Sequence, residues 1–209
     1  MGTKYTHNGK LVTFEGCEGV GKSTQIRLLS EYFASRGIDA LFTREPGGTE
    51  VGERVRGLLK DESLDMCPET ELLLFEAARF ENTRKVIIPA LEAGRIVIAD
   101  RYIDSTTAYQ SFGRGLDRGD VERLNAYATC GVRIDLTIFL DAPPFANTKR
   151  SASDRMELAG TEFHERVYGG YRTIGGGDDR FAFIPTLGDK YETAKEIVSA
   201  LVSHGIVSA

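Results

Sequence analysis

The sequence predicts an α/β fold in which a five-stranded parallel sheet lies between two layers of helices. Short apolar runs alternate with longer segments of helical periodicity, which is the pattern of parallel strands joined by crossover helices. The run at 96–99 (Ile-Val-Ile-Ala) is apolar at every position, as expected for a strand covered on both faces. With 209 residues, 41% of them hydrophobic, the chain can form one substantial core, and we expect a single domain over residues 1–209.

The predicted elements follow in the order that this architecture requires. Five apolar runs are predicted strands, at 11–15, 38–43, 96–99, 135–140 and 181–184. Helical periodicity marks 21–35, 50–59, 68–80, 82–93, 104–111, 121–129, 162–174 and 190–204, and a further helix begins within 145–150. In such a sheet, ligands bind beyond the carboxyl ends of the strands.

A phosphate-binding loop follows the first predicted strand. The run at 16–23 matches the pattern G-x-x-x-x-G-K-[ST] at every fixed position. Backbone N–H groups and the N-terminus of the next helix would surround phosphate oxygens, Lys22 would reach the β and γ phosphates, and Ser23 would bind Mg²⁺. The predicted ATP-binding residues here are Gly16, Cys17, Glu18, Gly19, Val20, Gly21, Lys22, Ser23 and Thr24.

Two carboxylates are suited to metal chemistry. Glu18 lies inside the phosphate loop, where a carboxylate is unfavourable unless it meets Mg²⁺ or a hydroxyl group. Asp100 ends the apolar run at 96–99 in the manner of a Walker B strand, and Arg101 follows directly. This Asp-Arg pair beside the loop predicts that metal and phosphate bind together.

Two further segments carry groups suited to a second substrate. The run at 43–49 (Thr-Arg-Glu-Pro-Gly-Gly-Thr) either forms a simple turn or presents Arg44 and Glu45 to a ligand. Phe75 and Arg79 lie one helical turn apart, so that the ring could stack on a base while the guanidinium binds its edge. The alternative for Phe75 is an ordinary core position.

Taken together, these motifs closely resemble those of the bacterial thymidylate kinases, enzymes that phosphorylate dTMP with ATP. The resemblance extends from about residue 12 to about residue 171 and includes the phosphate loop. It also rests on the runs at 43–49, 74–79, 100–106, 108–110, 154–157 and 163–167. It implies a three-layer P-loop kinase fold with a short lid at about 149–160, ATP and Mg²⁺ as cofactors, and a homodimer that serves dTTP biosynthesis.

The resemblance implies how the nucleoside would bind. Phe75 would stack on thymine, and Arg79 would bind an exocyclic oxygen of the base. Tyr109 would lie under the deoxyribose, where a 2′-hydroxyl group would crowd it. The residues implied at the base edge are Ser105, Thr106 and Gln110.

The resemblance also implies the surroundings of the phosphates. Glu18 would lie near the sugar 3′-hydroxyl group and the metal, Arg56 would lean over the nucleotide, and Arg101 would contact the acceptor phosphate. Arg44 and Glu45 would share that environment. The expected catalytic residues are Glu18, Lys22, Arg101 and Arg155, and the expected metal ligands are Ser23, Glu45 and Asp100.

One subgroup of the family carries a catalytic arginine inside the phosphate loop, and another supplies an arginine from the lid. Here Gly19 and Val20 occupy the loop positions, whereas the predicted lid contains Arg150 and Arg155. The chain thus resembles the lid-arginine subgroup. Our hypothesis is that Arg155 closes over the β and γ phosphates, with Arg150 also at ATP.

Composition argues against several other classes. The net charge of −5, from 26 basic and 31 acidic residues, argues against a general nucleic-acid-binding protein. No apolar run approaches the about 20 residues that a membrane span needs. The three scattered cysteines argue against a disulfide framework and for a reducing compartment. We therefore expect a cytoplasmic enzyme that binds dTMP and ATP, with no nucleic-acid or membrane partner.

Three alternatives stay open. Another P-loop nucleoside or nucleotide kinase would differ only in its acceptor. A GTP-binding switch protein would need an Asn-Lys-x-Asp signature, and the nearest run, at 147–150, lacks its spacing and its aspartate. A non-catalytic P-loop regulator would bind ATP without transferring a phosphoryl group.

Overall fold

A parallel sheet forms the centre of the computed structural model, which describes residues 7–144, 159–186 and 188–208. Its strands are β1 (Lys10–Glu15), β2 (Ala40–Arg44), β3 (Ile96–Asp100), β4 (Leu136–Asp141) and β5 (Phe181–Pro185). They lie in the order β2-β3-β1-β4-β5, and every neighbouring pair is parallel. The predicted five-stranded parallel sheet is confirmed.

Helices cover both faces of the sheet. They are α1 (Lys22–Arg36), α2 (Glu50–Lys60), α3 (Pro68–Asn82), α4 (Ile88–Glu92), α5 (Ile103–Thr106), α6 (Arg118–Ala128), α7 (Thr161–Gly175) and α8 (Lys190–Ser203). None of the helices in the described ranges has the length and hydropathy of a membrane span. The helix predicted to begin within 145–150, most of the predicted lid, Arg150 and Arg155 lie outside the described residues.

Two π-helical turns, Thr83–Ile87 and Thr107–Gly113, interrupt the helices. The first joins α3 to α4, so the separately predicted helices at 68–80 and 82–93 form one continuous helical run. There the N–H group of Ile88 donates to the carbonyl of Thr83, five residues earlier. Each π turn inserts one residue into the helix, which a search for a period of 3.6 does not reveal.

The core lies on both sides of the sheet because the residues of β1 alternate between its faces. Val12 and Phe14 belong to a larger apolar cluster that includes Leu29 of α1 and residues of α7 and α8. Leu11 points to the opposite face and joins a smaller cluster with Leu91 of α4. This burial on both faces explains the nearly continuous apolar character of the strands.

The carboxyl ends of three strands meet at one edge of the sheet. Asp100 of β3 pairs in register with Phe14 of β1 and with Arg44 of β2. Beyond the strands, the Arg101 N–H donates to the Phe14 carbonyl at 2.9 Å, and the Glu45 N–H donates to the Asp100 carbonyl at 2.9 Å. Segments far apart in sequence are thereby fixed side by side.

Candidate active site

The phosphate loop connects β1 to α1, and its lysine is held by the loop itself. Lys22, the first residue of α1, donates from Nζ to the carbonyls of Gly16 and Cys17 at 2.8 and 2.7 Å. Burial, together with the charge of Arg101, lowers the pKa of Lys22. Gly21 has φ of 98°, a left-handed conformation that a side chain would strain, so glycine permits the entry into α1.

Two adjoining cavities open at the carboxyl edge of the sheet. One, of about 320 Å³, lies against the phosphate loop and includes Ser23 and Asp100. The other, of about 190 Å³, lies towards α3 and includes Phe75 and Tyr109. The residues that line both cavities are Glu18, Glu45, Arg56 and Arg101. A group bound in either cavity would therefore meet the same two arginines and two carboxylates.

The structure brings most of the sequence-predicted residues to these cavities. The α3-side cavity is lined by these predicted substrate-binding residues: Glu45, Arg56, Phe75, Arg79, Arg101, Ser105, Thr106, Tyr109 and Gln110. The phosphate-loop cavity is lined by Glu18, Gly19, Gly21, Lys22, Ser23, Thr24 and Arg44. Cys17 and Val20 are instead buried in the core. Arg44 forms a solvent-exposed ion pair with Glu53 at 2.8 Å.

Arg79 lies at the centre of a buried polar cluster, and its side chain is only 2% exposed. Its Nε donates to Glu45 at 2.8 Å, and its Nη1 donates to Glu76 and to the Asn125 amide oxygen. Its Nη2 donates to the Thr106 hydroxyl at 2.8 Å. One Nη2 hydrogen is left without an acceptor among the described residues, so this side chain can donate to a ligand in the cavity.

Glu45 is tied to the same cluster through both carboxylate oxygens. Oε2 accepts from Arg79 and Oε1 accepts from the Asn82 amide at 3.1 Å. Burial raises the pKa of Glu45 and of Glu76, against the opposing effect of Arg79. Each carboxylate oxygen of Glu45 already accepts one hydrogen bond, so Glu45 would have to bind a metal through the remaining lone pairs of these oxygens.

Arg101 connects the two cavities, and Glu18 is its charge partner. Arg101 Nη2 donates to Glu18 Oε1 at 2.5 Å, and the Tyr109 hydroxyl donates to the same oxygen at 3.1 Å. Burial alone would raise the pKa of Glu18, but Arg101 and Lys22 together lower it to about 2. The guanidinium also lies over the Tyr109 ring, 5.0 Å from its centroid.

The donor set of the phosphate-loop cavity fits Mg²⁺. Asp100 Oδ1 is buried and has no hydrogen-bond partner among the described residues, and the Ser23 hydroxyl lines the same cavity. No cluster of three or more His, Cys, Asp or Glu side chains in the described ranges could hold a metal by itself. One carboxylate and one hydroxyl suit Mg²⁺, which completes its shell with water and phosphate oxygens.

Several residues of the site were missed by the sequence analysis. Glu71, fully buried on α3, accepts from the Gln110 amide at 2.9 Å and from Arg114. It lies one helical turn before Phe75, so the same four-residue spacing could have revealed it. Pro46 and Leu59 also line the α3-side cavity.

Glu15 and Tyr171 form a second missed group, behind Arg101. Both are fully buried, and the Tyr171 hydroxyl donates to Glu15 at 3.0 Å. Burial and then the charge of Asp104 raise the pKa of Glu15 to about 7. The local sequence signal for Glu15 is a carboxylate at the end of a mostly apolar strand.

A phosphate loop that opens into a second cavity with an aromatic face and an arginine defines a P-loop nucleotide kinase. Comparisons with known proteins identify its family. The family model described as thymidylate kinase matches residues 14–197. The chain belongs to the thymidylate kinase family.

Individual relatives agree with this assignment. A thymidylate kinase of Thermoanaerobacter sp. (strain X514) is 39% identical over 200 residues, which cover 94% of this chain and 98% of the relative. A thymidylate kinase of Chlorobaculum tepidum is 42% identical over 205 residues, which cover 91% of this chain and 96% of the relative. The crystal structure of thymidylate kinase from Ehrlichia chaffeensis superimposes with a TM-score of 0.78 at 34% identity, covering 92% of this chain and 98% of that one.

Replacing Arg79 with alanine should destabilise the fold, and the loss should grow with pH. Glu45 and Glu76 would be left buried without their cation, at a cost of about 3–5 kcal/mol in unfolding free energy. Without Arg79, the pKa values of Glu45 and Glu76 in the folded protein would rise further above the values that these carboxyl groups have in the unfolded chain. The variant therefore keeps most of its stability at low pH and loses it as pH rises through the folded-state pKa values.

Chemical denaturation at about pH 5.5 and about pH 8 measures both effects. Arg118→Ala is the matched control because its ion pair with Glu122 is half exposed, and it should cost no more than about 1 kcal/mol. An equal loss at both pH values, or a loss as small as that of the control, would contradict the buried-cluster interpretation.

Proposed function

We propose that this chain transfers the γ-phosphoryl group of ATP to the phosphate of dTMP, which yields dTDP and ADP for dTTP biosynthesis. The observation that carries the proposal is the pair of cavities that meet at Glu18, Glu45, Arg56 and Arg101. A phosphate donor against the loop and a nucleotide acceptor towards α3 would present their phosphates to the same arginines. Membership of the thymidylate kinase family supports dTMP as the acceptor.

The chemistry requires positioning and charge rather than a strong base. The acceptor is already a phosphate oxyanion, so the barrier lies in bringing two polyanions together and stabilising the charge that spreads over the transferred group. Arg101 contributes a fixed cation at the meeting point of the cavities. Lys22 would contribute a second cation. Its ammonium group now donates to two neutral carbonyls, and it would donate to phosphate oxygens instead when ATP is bound.

Ser23 and Asp100 are the residues best placed to hold Mg²⁺, with Glu45 as the third proposed ligand. When bound, Mg²⁺ neutralises charge on the phosphates and orients them for in-line transfer. The buried Oδ1 of Asp100 supports this assignment, because it has no hydrogen-bond partner within the part of the chain that the structure describes.

Selection of the nucleoside follows from the α3-side cavity. Phe75 offers a ring face for stacking, and the remaining N–H of Arg79 offers a donor to a base oxygen. Ser105, Thr106 and Gln110 are proposed to contact the base edge. The buried Tyr109 ring, fixed by its hydrogen bond to Glu18, would exclude a 2′-hydroxyl group.

The proposed function predicts a clear preference for dTMP as phosphate acceptor. In a coupled assay of ADP release with ATP, kcat/KM for dTMP should exceed the values for dCMP and AMP by at least about 100-fold, since the wrong base edge leaves buried polar groups unpaired. The dUMP value should fall by about 10- to 100-fold, because dUMP lacks only a methyl group. The control is Lys22→Met, which should abolish ADP release with every acceptor.

Each alternative has its own signature in this assay. A preference for AMP or dCMP would indicate another nucleotide kinase. Binding of ATP without ADP release would indicate a regulator. Selective GTP binding with no acceptor would indicate a switch protein.

Arg155 is proposed to act on the transferred phosphoryl group, and Arg150 to contact ATP. Both lie outside the described residues, and the proposal rests on the absence of an arginine from the phosphate loop. Arg155→Ala should lower kcat by about 10³-fold or more, the range found for arginines that stabilise this transition state. Arg150→Ala serves as the matched variant, with its main effect expected on the KM for ATP. A full kcat in Arg155→Ala would refute the assignment.

We propose that the enzyme is a homodimer formed through α2, α3 and α6. These helices pack side by side and expose large apolar side chains: Val51, Leu58, Leu73 and Tyr127, which are 49%, 48%, 56% and 73% exposed. The Tyr127 ring stacks on the Phe80 ring, with the two ring centroids 5.5 Å apart. Exposed apolar side chains on adjacent helices suit a two-fold interface, in which the same surface of both subunits is buried.

Light scattering after gel filtration should therefore give twice the mass of one chain. The double variant Leu73→Glu/Tyr127→Glu should be monomeric, because the charges would be buried unpaired at the interface. Tyr191→Glu is the control, since Tyr191, at 55%, is about as exposed as Leu73 but lies on α8. A monomeric wild type, or a dimer that survives the double variant, would contradict the interface.

A cytoplasmic location is also part of the proposal. It is supported by the three cysteines, Cys17, Cys67 and Cys130, all of which are free thiols.

A further inference from the structure

Two buried hydroxyl groups lie between the Arg101 guanidinium and the Glu15 carboxylate. Arg101 Nη1 donates to the Ser105 hydroxyl at 3.2 Å and to the Tyr171 hydroxyl at 3.4 Å. Ser105 donates in turn to Glu15 Oε2 at 2.5 Å, and Tyr171 donates to the same oxygen at 3.0 Å. The two hydroxyls are themselves 2.7 Å apart.

The protons of this cluster can be arranged so that both ends are satisfied. An ionised carboxylate only accepts, so Ser105 donates its hydroxyl proton to Glu15, and Tyr171 donates its own either to Glu15 or to the Ser105 oxygen. In both arrangements, lone pairs of the two hydroxyl oxygens remain for Arg101, which only donates. Burial raises the pKa of Tyr171 well above its usual value, so its proton is retained for this purpose.

Glu15 also holds the backbone that carries Arg101. Arg101 has φ of 68°, a left-handed conformation that is strained for a residue with a side chain. The N–H of the next residue, Tyr102, donates to Glu15 Oε1 at 2.8 Å. One carboxylate therefore fixes both the strained backbone and, through two hydroxyls, the guanidinium.

The neighbouring carboxylate that acts on Glu15 has its own cation. Asp104 accepts from Arg180 at 2.7 and 3.1 Å. On the far side of Arg101, Glu18 accepts from Nη2. The guanidinium is thus held from two sides, by Glu18 at the cavity and by the Glu15 cluster behind it.

We propose that Glu15 and Tyr171 are positioning residues for Arg101: together with Ser105 they fix the orientation in which its guanidinium meets the phosphates. This inference rests on the proposed function, in which Arg101 acts at the junction of the two nucleotides. Neither residue lines either cavity, so they act through Arg101 and not on the substrates.

The test compares Tyr171→Phe with Tyr168→Phe at about pH 8, above the pKa of Glu15, so that the ionised carboxylate is favoured. Both changes remove one hydroxyl from α7, but the Tyr168 hydroxyl donates to Asp141, away from Arg101. Tyr171→Phe should lower kcat with dTMP about tenfold, with less than about a threefold change in either KM, because a misplaced group costs rate more than binding. Tyr168→Phe should leave kcat within about twofold.

Glu15→Gln provides a second variant of nearly unchanged volume. Its amide nitrogen would direct hydrogens at the hydroxyl oxygens and compete with Arg101, so kcat should again fall about tenfold or more. Both variants are then combined with Arg101→Lys, which lacks the Nη1 atom. In that background, Tyr171→Phe and Glu15→Gln should each cost less than about twofold, since the interaction they support is already lost.

Equal kcat values for Tyr171→Phe and Tyr168→Phe, with an active wild type, would overturn the positioning role alone. A tenfold loss that persists in the Arg101→Lys background would also overturn it, because the effect would then come from general disruption. A wild-type enzyme without dTMP kinase activity would overturn the proposed function and this inference with it.

Discussion

Burying a guanidinium group is unfavourable unless a carboxylate and enough hydrogen-bond acceptors accompany it, and the site depends on meeting this condition twice. Arg79 is held by Glu45 and Glu76, and Arg101 is held by Glu18 on one side and by two hydroxyls on the other. Glu76 lies on the same helix as Arg79, but Glu45, Glu18, Ser105 and Tyr171 come from other segments, so the two cations take these positions only when those segments are correctly assembled. A side chain with five fixed donors suits this role better than a flexible ammonium group.

The pairing also explains how a protein with a net charge of −5 can bind two nucleotides. The walls of the two cavities gather cations that are scattered along the chain: Lys22, Arg44, Arg56, Lys60, Arg79 and Arg101. Among the described residues, the acidic side chains that line the same walls are Glu18, Glu45 and Asp100. The global charge describes the outer surface, whereas the local field at the junction favours phosphate.

Irregular backbone is concentrated where the site needs it. The left-handed Arg101 directs its side chain back across the phosphate loop to Gly16 and Glu18. The π turn at Thr107–Gly113 carries both Tyr109 and Gln110 to the α3-side cavity. These departures from regular geometry are stabilised by hydrogen bonds from buried groups, as is common at functional sites.

By itself, the sequence determined the features that depend on local pattern. These features are the glycine and lysine spacing of the phosphate loop, the apolar strands and the Asp-Arg pair at the end of β3. Each involves residues only a few positions apart, so periodicity and motif suffice to find them. The same holds for Phe75 and Arg79, one helical turn apart. The resemblance to the thymidylate kinases rested on these runs, and the family assignment confirmed it.

Only the tertiary structure decided which distant groups meet. Glu15 and Tyr171 are 156 positions apart in the sequence but are joined by a hydrogen bond. Arg79 donates to Asn125, which is 46 positions away. Such contacts depend on the strand order β2-β3-β1-β4-β5 and on the π turns, neither of which has a signal in periodicity. A side-chain hydrogen bond requires placement to within a few tenths of an ångström, and long-range packing sets that placement.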